Sequence, residues 1–129
     1  MKAPGPEYSQ TFPKATAEPW VHVYPQKGKR NGAYVFGAAY DVHPYMLFNH
    51  TDNYEGLSTY AHEWGHAMHT LIAQKAQPFE LAGYPTFLAE VASTVNEQLL
   101  VAHMLKGAKG KAERLFYLDR VCEMMRATF

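Results

Sequence analysis

Tyr60-Ala61-His62-Glu63-Trp64-Gly65-His66-Ala67-Met68-His69, inside a longer run from Asp52 to about Gln74, is the stretch from which the fold is read. Leu57, Tyr60, Ala61, Trp64, Met68, Leu71 and Ile72 recur at helical spacing, and Asp52 with Glu55 reads as a capping box at the start. The run is therefore a helix. His62 and His66 then lie on one face about one turn apart, so both imidazoles can point at one ion, as zinc coordination requires. Glu63 projects about 100° around the axis from His62, which suits a carboxylate beside a metal rather than bound to it. Gly65 costs about 1 kcal/mol relative to alanine within a helix, and close approach of a second helix would compensate.

Downstream, Pro78, Gly83 and Pro85 punctuate the chain, and Pro85 suits the first turn of a second helix running to about Lys106, with Gly107 just past its end. Leu88, Val91, Ala92, Val95, Leu99 and Ala102 form its apolar stripe. Glu90 is embedded in this stretch, where a carboxylate is costly to bury unless it is paired or metal-bound. A third helix is expected from about Lys111 to Thr128, with Leu115, Leu118, Cys122 and Met125 at matching intervals. Upstream, Val21 to Tyr24, Ala33 to Phe36 and Tyr45 to Asn49 have strand character and are expected to form a small antiparallel sheet. Residues 1–19, with Pro4, Pro6, Pro13 and Pro19, read as an extended lead-in, and residues 20–129 as the folded core.

Composition narrows the function. With 129 residues there is chain for one domain, and 12 Lys+Arg against 12 Asp+Glu give no net charge to gather nucleic acid or an anionic membrane. Neither partner is expected. The single Cys122 cannot form an internal disulfide and reads as a small buried apolar residue. Residues 1–20 lack the apolar core of a signal peptide and no run is long enough to cross a bilayer, so a cytoplasmic protein is expected.

Several linked segments resemble one family, the zinc metallopeptidases of the thimet oligopeptidase and oligoendopeptidase F type. Val23-Tyr24-Pro25-Gln26-Lys27-Gly28-Lys29-Arg30-Asn31-Gly32-Ala33-Tyr34 resembles the segment before that family's catalytic helix, and Pro44 to Asn49 its substrate-side strand. His62 to His69 resembles the active-site helix, and Tyr84 to Glu97 the helix that supplies a third ligand. The resemblance implies an α+β, mostly α, zincin-like (gluzincin) core, with a small sheet beside the active-site helix and two further helices. It implies zinc held by His62, His66 and Glu90, Glu63 as catalytic base, and hydrolysis of peptide bonds in oligopeptides. An extended substrate is expected to pair with an exposed strand such as Tyr45 to Asn49.

Family members are considerably longer and carry a later segment, rich in Tyr and Gly with a His, that stabilises the tetrahedral intermediate. The chain is thus expected to be a catalytic-core fragment or a shortened relative. Loss of an oxyanion donor costs roughly a hundredfold or more in rate, so a zinc-binding fragment of weak activity is the alternative expectation. Apolar surface left uncovered is expected to drive self-association.

Other polar residues receive plainer readings. His69 is expected to be a polar helix-face residue, because the tetrahedral ligand set is already complete without it. Thr94 and Glu97 share a face with Glu90 and could hydrogen-bond a ligand imidazole, although a solvated or salt-bridged role is favoured for Glu97. His22, His43, His50 and His103 read as surface or packed histidines. Lys27, Lys29 and Arg30 read as a solvated basic turn, and Met124-Met125 with Phe116-Tyr117 as core or association surface.

Overall fold

Residues 5–128 are described by a computed structural model; residues 1–4, which include Pro4 of the lead-in, and residue 129 lie outside it. The elements run α1 (Pro6–Ala17), β1 (Val21–His22), β2 (Tyr34–Phe36), β3 (Tyr45–Leu47), α2 (Tyr54–Ala76), a 3-10 turn (Phe79–Leu81), α3 (Thr86–Gly107) and α4 (Lys111–Thr128). The architecture is mostly helical with one three-stranded sheet, in the α+β class expected. Among the described residues no helix is long and apolar enough to cross a membrane.

The N-terminal segment corrects the sequence reading, because residues 6–17 are a helix and not an extended lead-in. Pro6 stands in the first turn, where its missing N–H is no loss, and only Pro13 forgoes an interior ladder bond. Burial outweighs that cost. Tyr8, Phe12 and Ala15 fall on one face, and Phe12 meets the Trp64 ring edge-on with centroids 5.5 Å apart. Trp64 is 1% exposed and packs with Ala15, Met46, Ala67 and Met68 at the centre of the core.

The sheet is mixed rather than antiparallel. Its order is β1-β3-β2, with β1 parallel to β3 (Val21 opposite Met46) and β2 antiparallel to it (Val35 opposite Met46). Met46 and Val35 turn inward while Tyr34, Phe36 and Tyr45 remain exposed, as alternation along a strand requires. The strand expected to meet substrate, β3, is therefore the central one, bonded on both sides. The edge strands are β1 and β2.

Of the basic turn, Lys29 is stitched in rather than solvated, while Lys27 and Arg30 are exposed as expected. Lys29 Nζ donates to the carbonyls of His22 at 2.9 Å, Tyr24 at 2.7 Å and Phe48, closing the end of the sheet. Asn49 Nδ2 donates to the Arg30 and Gly32 carbonyls, each at 2.8 Å, and fixes the return of the same loop.

Helix α2 starts one residue later than the capping-box reading. Asn53 is the N-cap, its Oδ1 accepting from Gly56 N at 2.9 Å, and Asp52 instead pairs with His50 at 3.2 Å. Cys122 is exposed on α4, not buried. The packing of α3 is unexpected too. An apolar stripe is ordinarily a helix's buried face, yet Leu88, Val91 and Val95 are about half exposed, and Ser93, at 0% exposure, is the residue pressed against α2.

Candidate metal centre

The contact between α2 and α3 is built on small residues. A Cβ placed on Gly65 would lie 2.5 Å from the Ser93 Cα and 2.7 Å from the Ala92 carbonyl oxygen, so glycine is what permits the two backbones to approach. That approach brings one face of α3 against the face of α2 that carries the two histidines. The compensation expected for a mid-helix glycine is thus present.

At this seam His62, His66 and Glu90 converge. Each offers one ligand atom, and all three atoms lie within 4.8 Å of one another. His62 Nε2 and His66 Nε2 are 3.1 Å apart, and Glu90 Oε2 is 3.4 Å from the first and 3.8 Å from the second. Zinc–ligand bonds of about 2.0–2.2 Å at a tetrahedral angle would separate neighbouring ligand atoms by about 3.3–3.6 Å. The observed triangle fits one tetrahedral ion, and two imidazoles with one carboxylate are a donor set that zinc accepts. Ser93 Oγ donates to Glu90 Oε2 at 2.9 Å and holds that carboxylate toward the histidines. Nothing in the sequence marked Ser93; only the Gly65 contact identifies it.

Glu63 stands beside the triangle and outside it. It is 6% exposed, lines the same cleft, and its Oε2 is buried with no hydrogen-bond partner among the described residues. Burial pushes its carboxyl above the usual carboxylate range, opposed by His62 and reinforced by Glu90 and Glu97. An unpartnered buried oxygen is costly unless something arrives to use it. Burial likewise lowers the His66 pKa and favours the neutral ring that a metal needs, whereas the hydrogen bond to Glu97 raises that of His62.

Glu97 is better placed than its solvated reading suggested: its Oε1 is 2.5 Å from His62 Nδ1 and its Oε2 accepts from Ser58 Oγ at 3.1 Å. Its spacing of seven from Glu90, which puts both on one face, was the signal in the sequence. Thr94 does not share that role, since its hydroxyl turns back to the Glu90 carbonyl. His69 is half-buried, its ring stacked on Tyr84 with centroids 4.0 Å apart, and Tyr84 Oη lies 2.5 Å from Thr70 Oγ1. Of the remaining histidines, His22 and His103 are exposed, His43 stacks on Trp20 at 4.7 Å, and His50 is held by Asp52; none is in the metal-ligand cluster.

The triangle opens into a cleft of about 860 Å³, with Tyr34, Val35 and Gly37 along one wall and Phe79 and Tyr84 along the other. The wall that follows β2 is pinned to α2: Gln74 Nε2 donates to the carbonyls of Gly37 at 3.1 Å and Ala39 at 3.2 Å. Edge strand β2 thus borders the cleft at a fixed position relative to the histidines.

Comparison with known proteins gives the chain a family. The profile of peptidase family M3 matches residues 2–128. Oligopeptidase PepF of Bacillus subtilis is 42% identical over 124 residues, which are 96% of this chain and 18% of that protein. The chromosomal oligoendopeptidase F of Lactococcus lactis subsp. cremoris is 40% identical over 124 residues, 96% of this chain and 20% of the relative. A provisionally assigned peptidase from Chlamydophila abortus, solved by crystallography, superposes with a TM-score of 0.89 at 44% identity, covering 97% of this chain and 21% of that one. The chain spans about a fifth of the length of these relatives. On this match, the chain belongs to peptidase family M3.

Proposed function

We propose that this chain carries the zincin-like metal-binding and catalytic portion of a zinc-dependent metalloendopeptidase that hydrolyses peptide bonds in oligopeptides. The observation that carries the reading is the convergence of His62, His66 and Glu90 within 4.8 Å, with the buried and unpartnered Glu63 oxygen beside them. His62, His66 and Glu90 would hold the ion. When bound, zinc polarises a carbonyl and lowers the pKa of water towards about 7.

The chain's own residues do the rest. Glu63 takes the proton of the attacking water and delivers it to the leaving amine; burial, which disfavours its charged form, makes it a stronger base than a solvated glutamate. Strand β2 presents its unpaired edge beside the cleft, and an extended peptide pairing there, main chain to main chain, would run past the histidines. The expected strand pairing is thus retained with β2 in place of β3. A second reading, zinc binding with slow turnover by this stretch alone, is favoured by its coverage of about a fifth of the relatives.

Elemental analysis of the purified 129-residue chain, together with cleavage of a quenched fluorescent peptide, tests both readings. One zinc per chain, with cleavage lost to a chelator and restored by zinc, supports the peptidase. Stoichiometric zinc without cleavage supports the second reading, and absence of any bound metal overturns both.

A further inference from the structure

The geometry points to Glu97, held by Ser58, as the positioning residue that fixes the His62 ring and its tautomer for metal binding. The inference deepens the metal-centre reading and rests on it.

Ser58 and His62 are four residues apart on α2, so they stand one above the other on the same face, and Glu97 reaches across from α3 to both. Its two oxygens are used separately: Oε1 lies 2.5 Å from His62 Nδ1 while Oε2 accepts from Ser58 Oγ at 3.1 Å. Ser58 is buried and the Glu97 side chain is only 21% exposed, so neither bond is a loose surface contact. A carboxylate has no proton to give, so the hydrogen in the short bond belongs to His62 Nδ1. That assignment leaves the lone pair on Nε2, the atom that faces His66 Nε2 at 3.1 Å and Glu90 Oε2 at 3.4 Å. One contact therefore selects the tautomer, and the Ser58 bond restrains the carboxylate that selects it.

Glu97 and Glu90 also come from one face of one helix, seven residues apart. The same docking of α3 on Gly65 delivers Glu90 to the two Nε2 atoms and Glu97 to the far side of the His62 ring. A carboxylate present only for surface charge would need neither a buried serine nor a specific ring nitrogen.

The test is zinc affinity, measured by competition with a chromophoric chelator, for the wild-type chain and for Glu97→Ala, Glu97→Gln and Ser58→Ala. Loss of an outer hydrogen-bond partner of a metal-bound histidine typically weakens affinity 10–100-fold. Glu97→Ala is expected in that range, Glu97→Gln in between because its amide oxygen still accepts from Nδ1, and Ser58→Ala only a few-fold weaker. A Glu97→Ala affinity within twofold of wild type overturns the inference. Nitrogen-15 spectra of the wild-type histidines supply a readout that needs no variant. A protonated His62 Nδ1 both before and after zinc addition supports the assignment, and an unprotonated or zinc-bound Nδ1 overturns it. If the wild-type chain takes up no zinc, the metal-centre reading fails outright; if it takes up zinc and Glu97→Ala matches it, only the role of Glu97 fails.

Discussion

The two faces of α3 have exchanged the roles that composition alone would give them. The face toward α2 carries Ala89, Glu90, Ser93, Asn96 and Glu97, whereas Phe87, Leu88, Val91 and Val95 look outward, with Phe87 77% exposed. Hydrophobic burial contributes Val101, one turn beyond Glu97 and 1% exposed, but does not by itself choose this orientation. Close approach does, because Gly65 admits only small neighbours, and Ser93 and Ala92 supply them. The inward face gives up apolar area and gains two carboxylates at fixed positions. In this molecule the site is built where packing is tight and polar, and the exposed apolar face stands apart from it.

If that contrast is right, changes on the inward side of the seam should be large. Glu63→Gln is expected to reduce peptide cleavage by roughly 10²–10⁴-fold, the range that general acid–base groups contribute, while stoichiometric zinc remains bound. Parallel turnover and metal assays separate the two. Glu90→Ala should instead remove the zinc itself, because it leaves only two protein ligands; equilibrium dialysis reads that loss directly.

Gly65→Ala attacks the approach and not the ligands. Overpacking a tight contact costs about 1–3 kcal/mol, and alanine returns up to about 1 kcal/mol of helix propensity, so a net loss of about 1–2 kcal/mol is expected. The backbone atoms of Ser93 cannot step aside unless α3 moves. Zinc affinity should therefore fall together with stability in this variant. Urea denaturation with a metal titration checks the coupling, and unchanged values for both would mean that the close approach does not position the site.

The outward face supplies the contrasting result. Val91 and Val95 are 49% and 50% exposed, and surface substitutions usually stay within about 0.5 kcal/mol. The double change Val91→Lys, Val95→Lys should leave zinc affinity within twofold and reduce any concentration-dependent association seen by sedimentation velocity.

What the sequence disclosed follows the same division. The period of 3.6 residues located α2, α3 and α4 to within a residue or two, and H-E-x-x-H placed two imidazoles on one turn, because both depend on local spacing. The apolar stripe of α3 suggested the opposite face, and the docking face was legible only through the resemblance that made Glu90 a third ligand; the non-local pair Gly65–Ser93 is what fixes it. Strand order was hidden for a related reason: β1 pairs in parallel with β3 across a long connection that leaves no local mark. Glu97 was placed on the correct face by its spacing, but its choice of partner depends on a ring nitrogen of another helix. Helix α1 was masked by its prolines, although one of them sits where a helix tolerates proline best.

That helix permits the finest test, because it packs on α2 and also reaches the inward face of α3 through one hydrogen bond. Tyr8 Oη donates to Asn96 Oδ1 at 2.9 Å, and Asn96 Nδ2 donates to the Ala61 carbonyl at 3.1 Å, so one side chain ties α1 and α2 to α3. Tyr8→Phe should cost about 1 kcal/mol at neutral pH, the usual worth of such a bond. Burial raises the Tyr8 pKa in the folded chain above its ordinary value near 10. A raised folded-state pKa means that the contribution is fully present below the unfolded value and lost as pH climbs through the folded one. The stability difference between wild type and Tyr8→Phe should therefore hold steady up to about pH 10 and shrink above it. Because the other tyrosines and the lysines titrate identically in both chains, the difference isolates Tyr8. A gap that stays constant through the alkaline range would mean that the Tyr8 phenol is not buried in the folded chain, leaving Phe12, Ala15 and the Glu7–Lys75 ion pair to hold the helix.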